Sequence, residues 1–363
     1  MSPDQLPRQD VRLRDSRRGP PALQRPGDPV QLGRRDEVGR TMVVLVTGGT
    51  GYLGSQLIRD LPKMTAFKGE TIRILDNQFR ERYVSLWDLP KNVRYEFLEG
   101  DVRNGEAVSQ ALRDADVVFS LSDITNAPVS FERKELTWET NHKGVLNLFD
   151  RAVRAGVRKF VYTSTCSVYG PTPGIVTEDA ECKPASPYGE SKLAAEREMN
   201  RRSAETGFDW TALRLGTIFG WTIGMRFDTI INRFTYLAAQ GRPLTVYDTA
   251  WTEKRPYLSA ADAMQAYRIA ASHPKAKGLV FNAVHENANM EAIIGAIRNV
   301  FPAVEVTTTQ TPSLNQLSYE VDGSRFRELG FRPKVGIVEG VRTLAEKFHC
   351  IQPVPLPAPT LEA

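Results

Sequence analysis

Tyr188 and Lys192, in Ser186-Pro187-Tyr188-Gly189-Glu190-Ser191-Lys192, are a phenol and an ammonium spaced four positions apart. On a helix that spacing puts both side chains on one face, one turn apart. A phenol of pKa about 10 is a poor base at neutral pH, and a neighbouring ammonium favours the phenolate. Each unit of lowering corresponds to about 1.4 kcal/mol of differential stabilisation. The same lysine can hold a ribose. Tyr-x-x-x-Lys also occurs in helices that do no chemistry, so the pair needs support from its surroundings. That support lies upstream, where Lys159-Phe160-Val161-Tyr162-Thr163 reads as a strand running into the hydroxyl-rich Ser164-Thr165-Cys166-Ser167. Open parallel sheets gather ligands beyond the carboxyl ends of their strands, and a hydroxyl there can relay a proton between substrate and Tyr188. The plain alternative is a polar strand exit with a capped backbone, which suits Ser164 better than the whole cluster.

A second constellation is Thr47-Gly48-Gly49-Thr50-Gly51-Tyr52-Leu53-Gly54, between an apolar run and a helical stretch. Gly48, Gly51 and Gly54 permit a tight turn, close approach of the backbone to a pyrophosphate, and packing of helix on strand. The helix N-terminus adds free N–H groups and a partial positive charge. Asp76 ends the next apolar run, 22 residues after Gly54. A carboxylate there can accept from both hydroxyls of an adenosine ribose and repels a 2′-phosphate, which favours NAD over NADP. Arg80 and Arg82 stand close behind and could receive that phosphate instead. Asp101 is placed to meet an adenine or, more plainly, to cap the helix that starts near Asn104.

The elements that must position these groups alternate along the chain. Met42–Val46, Thr71–Leu75, Arg94–Leu98, Val117–Leu121, Lys159–Thr163 and Thr211–Leu215 read as strands buried on both faces. Helical periodicity fills Tyr52–Leu61, Glu106–Arg113, Thr137–Ala155 and Tyr188–Glu205. This order predicts an α/β fold, a Rossmann-type doubly wound parallel sheet. After Gly220 helices dominate (Phe227–Gln240, Ala260–Ser272, Asn289–Val300, Gly336–Phe348), with short strands near Leu244–Val246 and Leu279–Ala283. The expected organisation is therefore a cofactor domain over 41–220, to which some later segments return, and a smaller α/β substrate lobe over 221–350.

Residues 1–40 hold nine Arg, six acidic residues and six prolines without one aromatic, so they read as a disordered tail. Met42 sits where the fold begins, and an upstream-extended start is an equal reading of that segment. The tail carries +3 of the chain's +4, which leaves the rest at +1 and gives no basic excess to suggest a nucleic-acid partner. Prolines at 353, 355, 357 and 359 suit an extended tail over 351–363. No apolar run of about 18 residues and no secretory leader is present, so no membrane partner is expected and the cytoplasm is the default compartment. Cys166, Cys182 and Cys350, with scattered His142, His273, His285 and His349, suggest neither a disulfide framework nor a metal site.

Taken jointly, the glycine loop, Asp76, Gly100-Asp101, Asn141 in Thr140-Asn141-His142-Lys143-Gly144, the 165–170 strand exit and Tyr188/Lys192 resemble an extended short-chain dehydrogenase/reductase. The similarity is to its NAD-dependent epimerase/dehydratase family, which acts mostly on nucleotide-activated sugars. It spans roughly 42–348 and includes Leu213-Arg214-Leu215-Gly216-Thr217-Ile218-Phe219-Gly220 and Arg255-Pro256-Tyr257-Leu258 with Asp262. The resemblance implies catalysis by Thr165, Tyr188 and Lys192, with the positive nicotinamide ring also favouring phenolate. It implies NAD on Gly48, Gly51, Tyr52, Leu53, Gly54, Asp76, Asn77, Asp101, Val102, Leu121, Tyr188 and Lys192. A nucleotide sugar would meet Thr165, Ser167, Thr217, Arg226 and Arg255, Arg255 at its diphosphate, although a surface ion pair is the plainer reading of that arginine. A homodimer paired through the helices at 106–113 and 188–205 is implied as well. The chain departs from the family in two places: Thr217 stands where many members have Asn, and Ser122-Asp123 replaces a usual Ala-Ala.

The reaction is narrowed by the two residues after Thr165. Dehydratases resembling this family place an Asp-Glu pair there, whereas this chain has Cys166 and Ser167. Small groups resemble 4-epimerases, in which Tyr188 deprotonates the 4-hydroxyl as hydride passes to NAD and later returns to the other face of a 4-keto sugar. Cys166 could act as an acid in an unusual elimination, or simply be a small buried residue. A sugar dehydratase or a net oxidoreductase on a non-sugar alcohol is the second reading. A non-catalytic cofactor sensor is the third, and the intact Thr165, Tyr188 and Lys192 argue against it.

Overall fold

The computed structural model describes residues 41–67, 70–310 and 318–348. The expected tails at 1–40 and 351–363, with His349 and Cys350, lie outside them. In chain order the elements are β1 (Val43–Thr47), α1 (Tyr52–Asp60), β2 (Thr71–Asp76), β3 (Arg94–Glu99), α2 (Gly105–Ala111), β4 (Ala115–Ser120), α3 (Ala127–Glu132), α4 (Lys134–Trp138), α5 (Val145–Arg154), β5 (Lys159–Thr165), β6 (Ile175–Val176), α6 (Pro187–Thr206) and β7 (Trp210–Leu215). They continue with β8 (Thr217–Phe219), α7 (Ile230–Ala239), β9 (Leu244–Tyr247), β10 (Arg255–Ser259), α8 (Ala260–Ser272), β11 (Leu279–Ala283), β12 (Glu286–Ala288), α9 (Met290–Arg298), β13 (Val306–Thr309), β14 (Glu320–Val321), α10 (Ser324–Glu328) and α11 (Ile337–Phe348).

Strict alternation along β1 shows why the sheet is covered on both sides. Val44 and Val46 enter one apolar cluster with Leu57, Ile58, Tyr267 and Ala270 of α1 and α8. Leu45 enters the opposite cluster with Val108, Leu148 and Phe149 of α2 and α5. Seven parallel strands result, in the order β11-β7-β5-β4-β1-β2-β3, which is the doubly wound sheet expected from the sequence. The chain winds outward from β1 in both directions, so the crevice beyond the ends of β1 and β4 is the topological switch point. β11, distant in sequence, completes the edge beside β7.

A third apolar cluster joins α7, α9 and α11 with β9 and β10 through Ile231, Phe234, Leu244, Val246, Tyr257, Ile294, Ile297 and Val341. The single helix expected over 137–155 is instead α4, a π-helical segment at Glu139–Gly144, and α5. Asn141 lies in that π segment: its side chain accepts from Ile124 N at 2.8 Å and donates to Ile124 O at 3.0 Å. A buried amide that satisfies the loop after β4 competes with regular helical spacing, and π-turns of this kind cluster at functional sites. Among the described residues no helix is long and apolar enough to cross a membrane.

Candidate active site

A cavity of about 1040 Å³ runs along the carboxyl ends of the strands, from the glycine loop to Tyr319. Every residue expected to meet cofactor or substrate lines it except Lys192. Among the described residues no group of His, Cys, Asp and Glu could hold a metal ion.

At the glycine-loop end the backbone fixes the geometry. Gly48 has φ +69°, and a Cβ there would lie 2.5 Å from Leu121 O; a Cβ on Gly54 would lie 2.1 Å from Gly48 O. No side chain therefore fits at either position. Helix α1 starts from Gly51, which brings no side-chain cap to its first N–H groups. Asp76 accepts from Thr50 N at 3.0 Å and from Gln78 N at 2.9 Å, so the acid and the loop are tied to one another. Tyr52 is a brace: its hydroxyl donates to Gly220 O and accepts from Asn232 Nδ2 at 2.9 Å, and burial pushes its pKa up.

Asp101 is not the cap of α2. Asn104 takes that place, accepting from Glu106 N at 2.9 Å and Ala107 N at 3.2 Å. Asp101 instead pairs with the Arg103 guanidinium at 2.8 Å and accepts from Asn77 Nδ2 at 2.8 Å. Burial works to raise its pKa, but the bonds and charge of Arg103 and the Asn77 amide together outweigh that and lower it to about 2.

At the strand exit, Thr165 ends β5 and its Oγ1 accepts from Ser167 N at 3.1 Å. Ser186 caps α6 by accepting from Gly189 N at 3.2 Å, and Pro187 opens the helix, which delivers Tyr188 to the cavity within its first turn. Tyr188 and Thr165 line the same stretch of the cavity wall. Burial raises the phenol pKa and the Asp123 carboxylate adds to this, while the Thr165 side chain and the Arg226 charge oppose it. The sequence suggested lowering by Lys192, and the protein's own groups give the reverse. Lys192 is fully buried one turn along α6, with Nζ 2.6 Å from Asp123 Oδ2 and 4.2 Å from the centre of the Tyr162 ring. The carboxylate beside it cancels the charge that Tyr188 would otherwise feel.

Cys166 is 1% exposed, is absent from the cavity wall, and donates to Arg214 O at 3.3 Å. Burial pushes its thiol pKa well up. It is a small core residue, and the acid role considered for it loses its geometric basis. Ser167 does face the cavity, which Tyr319 lines as well.

The far end is assembled from remote segments. Arg226 donates to Thr125 Oγ1 at 2.6 Å and is paired with Asp228. Arg255, at the start of β10, lies 5.9 Å over the Tyr319 ring, and Thr217 opens β8 beside it. Tyr319, Arg233 and Asp228 line the cavity and were not singled out in the sequence, because no local motif surrounds them. Asp123 had a signal, as a polar residue at a place the family fills with alanine.

The sequence profile of the NAD dependent epimerase/dehydratase family matches residues 44–283. The UDP-glucose 4-epimerase of Lactobacillus helveticus is 28% identical over 335 residues, which is 86% of this chain and 98% of that protein. The structure of UDP-glucose 4-epimerase from Thermus thermophilus in complex with NAD aligns with a TM-score of 0.73 at 28% identity, over 85% of this chain and 99% of that one. A dTDP-glucose 4,6-dehydratase from Streptomyces venezuelae, with NAD bound, aligns with a TM-score of 0.75 at 25% identity, over 85% and 97%. A profile match over most of the chain, on a sheet whose switch point opens into the cavity, establishes that this protein belongs to the NAD-dependent epimerase/dehydratase family and is one of its enzymes.

Proposed function

We propose that the protein is an NAD-dependent nucleotide-sugar 4-epimerase. The observation that carries this reading is the strand exit: Thr165 lines the cavity with Tyr188, and the next two positions are Cys166, buried in the core, and Ser167. No carboxylate stands at these two positions to drive an elimination. A 4,6-dehydratase is the second reading, favoured by Asp123, which is a carboxylate in the cavity wall.

The residues fit NAD. A Cβ on Gly51 would meet only Gly48 O, at 3.1 Å, so that side of the loop is open to a pyrophosphate. The uncapped start of α1 offers N–H groups there. Asp76 takes one backbone N–H on each carboxylate oxygen and keeps lone pairs for ribose hydroxyls. The loop with Asp76, Asn77, Asp101, Val102 and Leu121 would hold the adenosine half and Tyr188 the nicotinamide half, with Lys192 behind the wall in its pair with Asp123. When bound, NAD supplies a reversible hydride acceptor and a positive ring charge that favours the Tyr188 phenolate.

Tyr188 then takes the proton of the sugar 4-hydroxyl through or beside Thr165 and returns it after the ring has turned. Arg226 and Arg255 neutralise the nucleotide diphosphate, and Thr217 and Ser167 contact the sugar. In this reading 41–220 is the cofactor domain and 221–350 the substrate lobe, since Arg226, Arg255 and Tyr319 supply the end of the cavity away from the glycine loop. The enzyme is read as a cytoplasmic homodimer, and light scattering that gives a monomer at micromolar concentration would remove the dimer. The test of the activity is conversion of UDP-glucose and related nucleotide sugars to their 4-epimers with no net reduction of NAD. Stoichiometric NADH, or a 4-keto-6-deoxy product, would replace the assignment.

A further inference from the structure

Asp123 is placed with unusual definition for a loop residue. β4 ends at Ser120, the next residues line the cavity, and both backbone groups of Ile124 are bonded to the Asn141 side chain. The Asp123 side chain is 4% exposed, and its Oδ2 holds the Lys192 ammonium at 2.6 Å. Its Oδ1 is buried and has no hydrogen-bond partner. A buried carboxylate oxygen without a donor is costly, and a purely structural ion pair is expected to satisfy both oxygens. Lys192 is likewise under-used, because an ammonium has three donors, Asp123 takes one, and Tyr162 offers it a ring face. The Thr165–Tyr188 pair shares this stretch of wall.

An acceptor held by a cation, left over in the wall of a polar cavity, matches a hydroxyl group. We propose that Asp123 is a hydroxyl-binding residue of this site: Lys192 fixes Oδ2, and Oδ1 accepts a hydrogen bond from a hydroxyl on a ring bound in the cavity. That hydroxyl belongs to the second ribose of the dinucleotide or to the sugar of the nucleotide sugar, which offer the same chemistry. The inference rests on the reading of the cavity as a site for these two ligands. It also gives a physical reason for a carboxylate at the end of β4, where it otherwise costs burial energy and raises the pKa of Tyr188.

The test is ligand affinity measured by calorimetry on the unmodified chain and on Asp123→Asn, with four probes. ADP-ribose against ADP reports the second ribose, and UDP-glucose against UDP reports the sugar. The expected result is roughly tenfold weaker binding of ADP-ribose or of UDP-glucose in the variant, with ADP and UDP unchanged, the affected pair naming the source. Equal affinities for all four probes in both proteins would overturn the proposal. Should Asp123→Asn fail to fold, crystal structures of the unmodified chain with ADP-ribose and with UDP-glucose decide. A ligand hydroxyl within about 3 Å of Oδ1 supports the assignment, and a water there in both overturns it. If the unmodified chain binds none of the probes, the cavity reading falls first and takes this inference with it. Loss confined to the variant tests Asp123 alone.

Discussion

Between Gly48 and Asp101 the cavity is shaped by one run of sequence, whereas beyond Tyr188 it is shaped by Arg226, Arg255 and Tyr319 from three separate segments. The first end is held by backbone: Gly54 lies against Gly48 O, and Asp76 is tied to Thr50 N and Gln78 N. The second is held by side chains, with Arg226 on Thr125 and Asp228 and Arg255 over Tyr319. A site held by backbone fails abruptly when a single Cβ is added. One held by side-chain pairs should degrade in steps, because each lost contact leaves the others standing. Tyr188 lies between the two and belongs to neither.

The largest effect is therefore expected at that midpoint. Tyr188→Phe keeps the ring and removes the ionisable oxygen, so turnover should fall by about 10²- to 10⁴-fold while nucleotide-sugar affinity is kept. Steady-state kinetics beside direct binding checks it, and full activity would dismiss the whole site assignment. Next comes the backbone end. Gly54→Ala puts a Cβ 2.1 Å from Gly48 O, so the loop must shift. NAD affinity should drop by about tenfold or more, in line with the 1–3 kcal/mol typical of overpacking. Unchanged NAD binding by calorimetry would show that the loop tolerates displacement.

Smaller changes are expected at the side-chain end. Arg226→Ala should raise KM for the nucleotide sugar by roughly three- to tenfold, the scale of one net hydrogen bond lost at a partly solvated site. The Arg226 charge also lowers the Tyr188 pKa. Its removal should move the rising limb of the pH–rate profile to higher pH, whereas a limb that stays put, or moves down, would separate Arg226 from Tyr188.

The smallest effect concerns Asp101, whose folded pKa of about 2 lies below the ordinary 3.8. A carboxyl lowered on folding contributes stability above its unfolded pKa, and loses it as pH falls through 3.8 toward 2. For a partly exposed pair this amounts to about 1 kcal/mol or less. The gap in melting temperature between the unmodified chain and Asp101→Asn should shrink between pH 7 and pH 3. An equal gap at both would assign the loss to packing.

The same contrast governs what could be read from the sequence. The glycine spacing, the acid 22 residues later and the buried strand runs are encoded locally, because turn sterics and strand periodicity act over a few residues. The Tyr188–Thr165 meeting was legible for a related reason: both follow from one strand and the helix after it. Tyr319, Arg233 and Asp228 reach the cavity through tertiary packing that leaves no short-range pattern. The break at Glu139–Gly144 was hidden because it answers a demand made by Ile124, a residue outside the helix. The sign of the Tyr188 shift was missed because it depends on the distance from Lys192 to Asp123, which spacing on α6 does not contain.

Both ends of the cavity serve one central claim, that oxidation and reduction occur at a single sugar carbon under the control of Tyr188. Its most direct test uses UDP-glucose carrying deuterium at C4, incubated with the full chain and NAD, with the label located by NMR in the product. The predicted result is the 4-epimer with deuterium still at C4 and no net NADH. Deuterium found at C6 of a 4-keto-6-deoxy sugar would contradict it and make the enzyme a dehydratase.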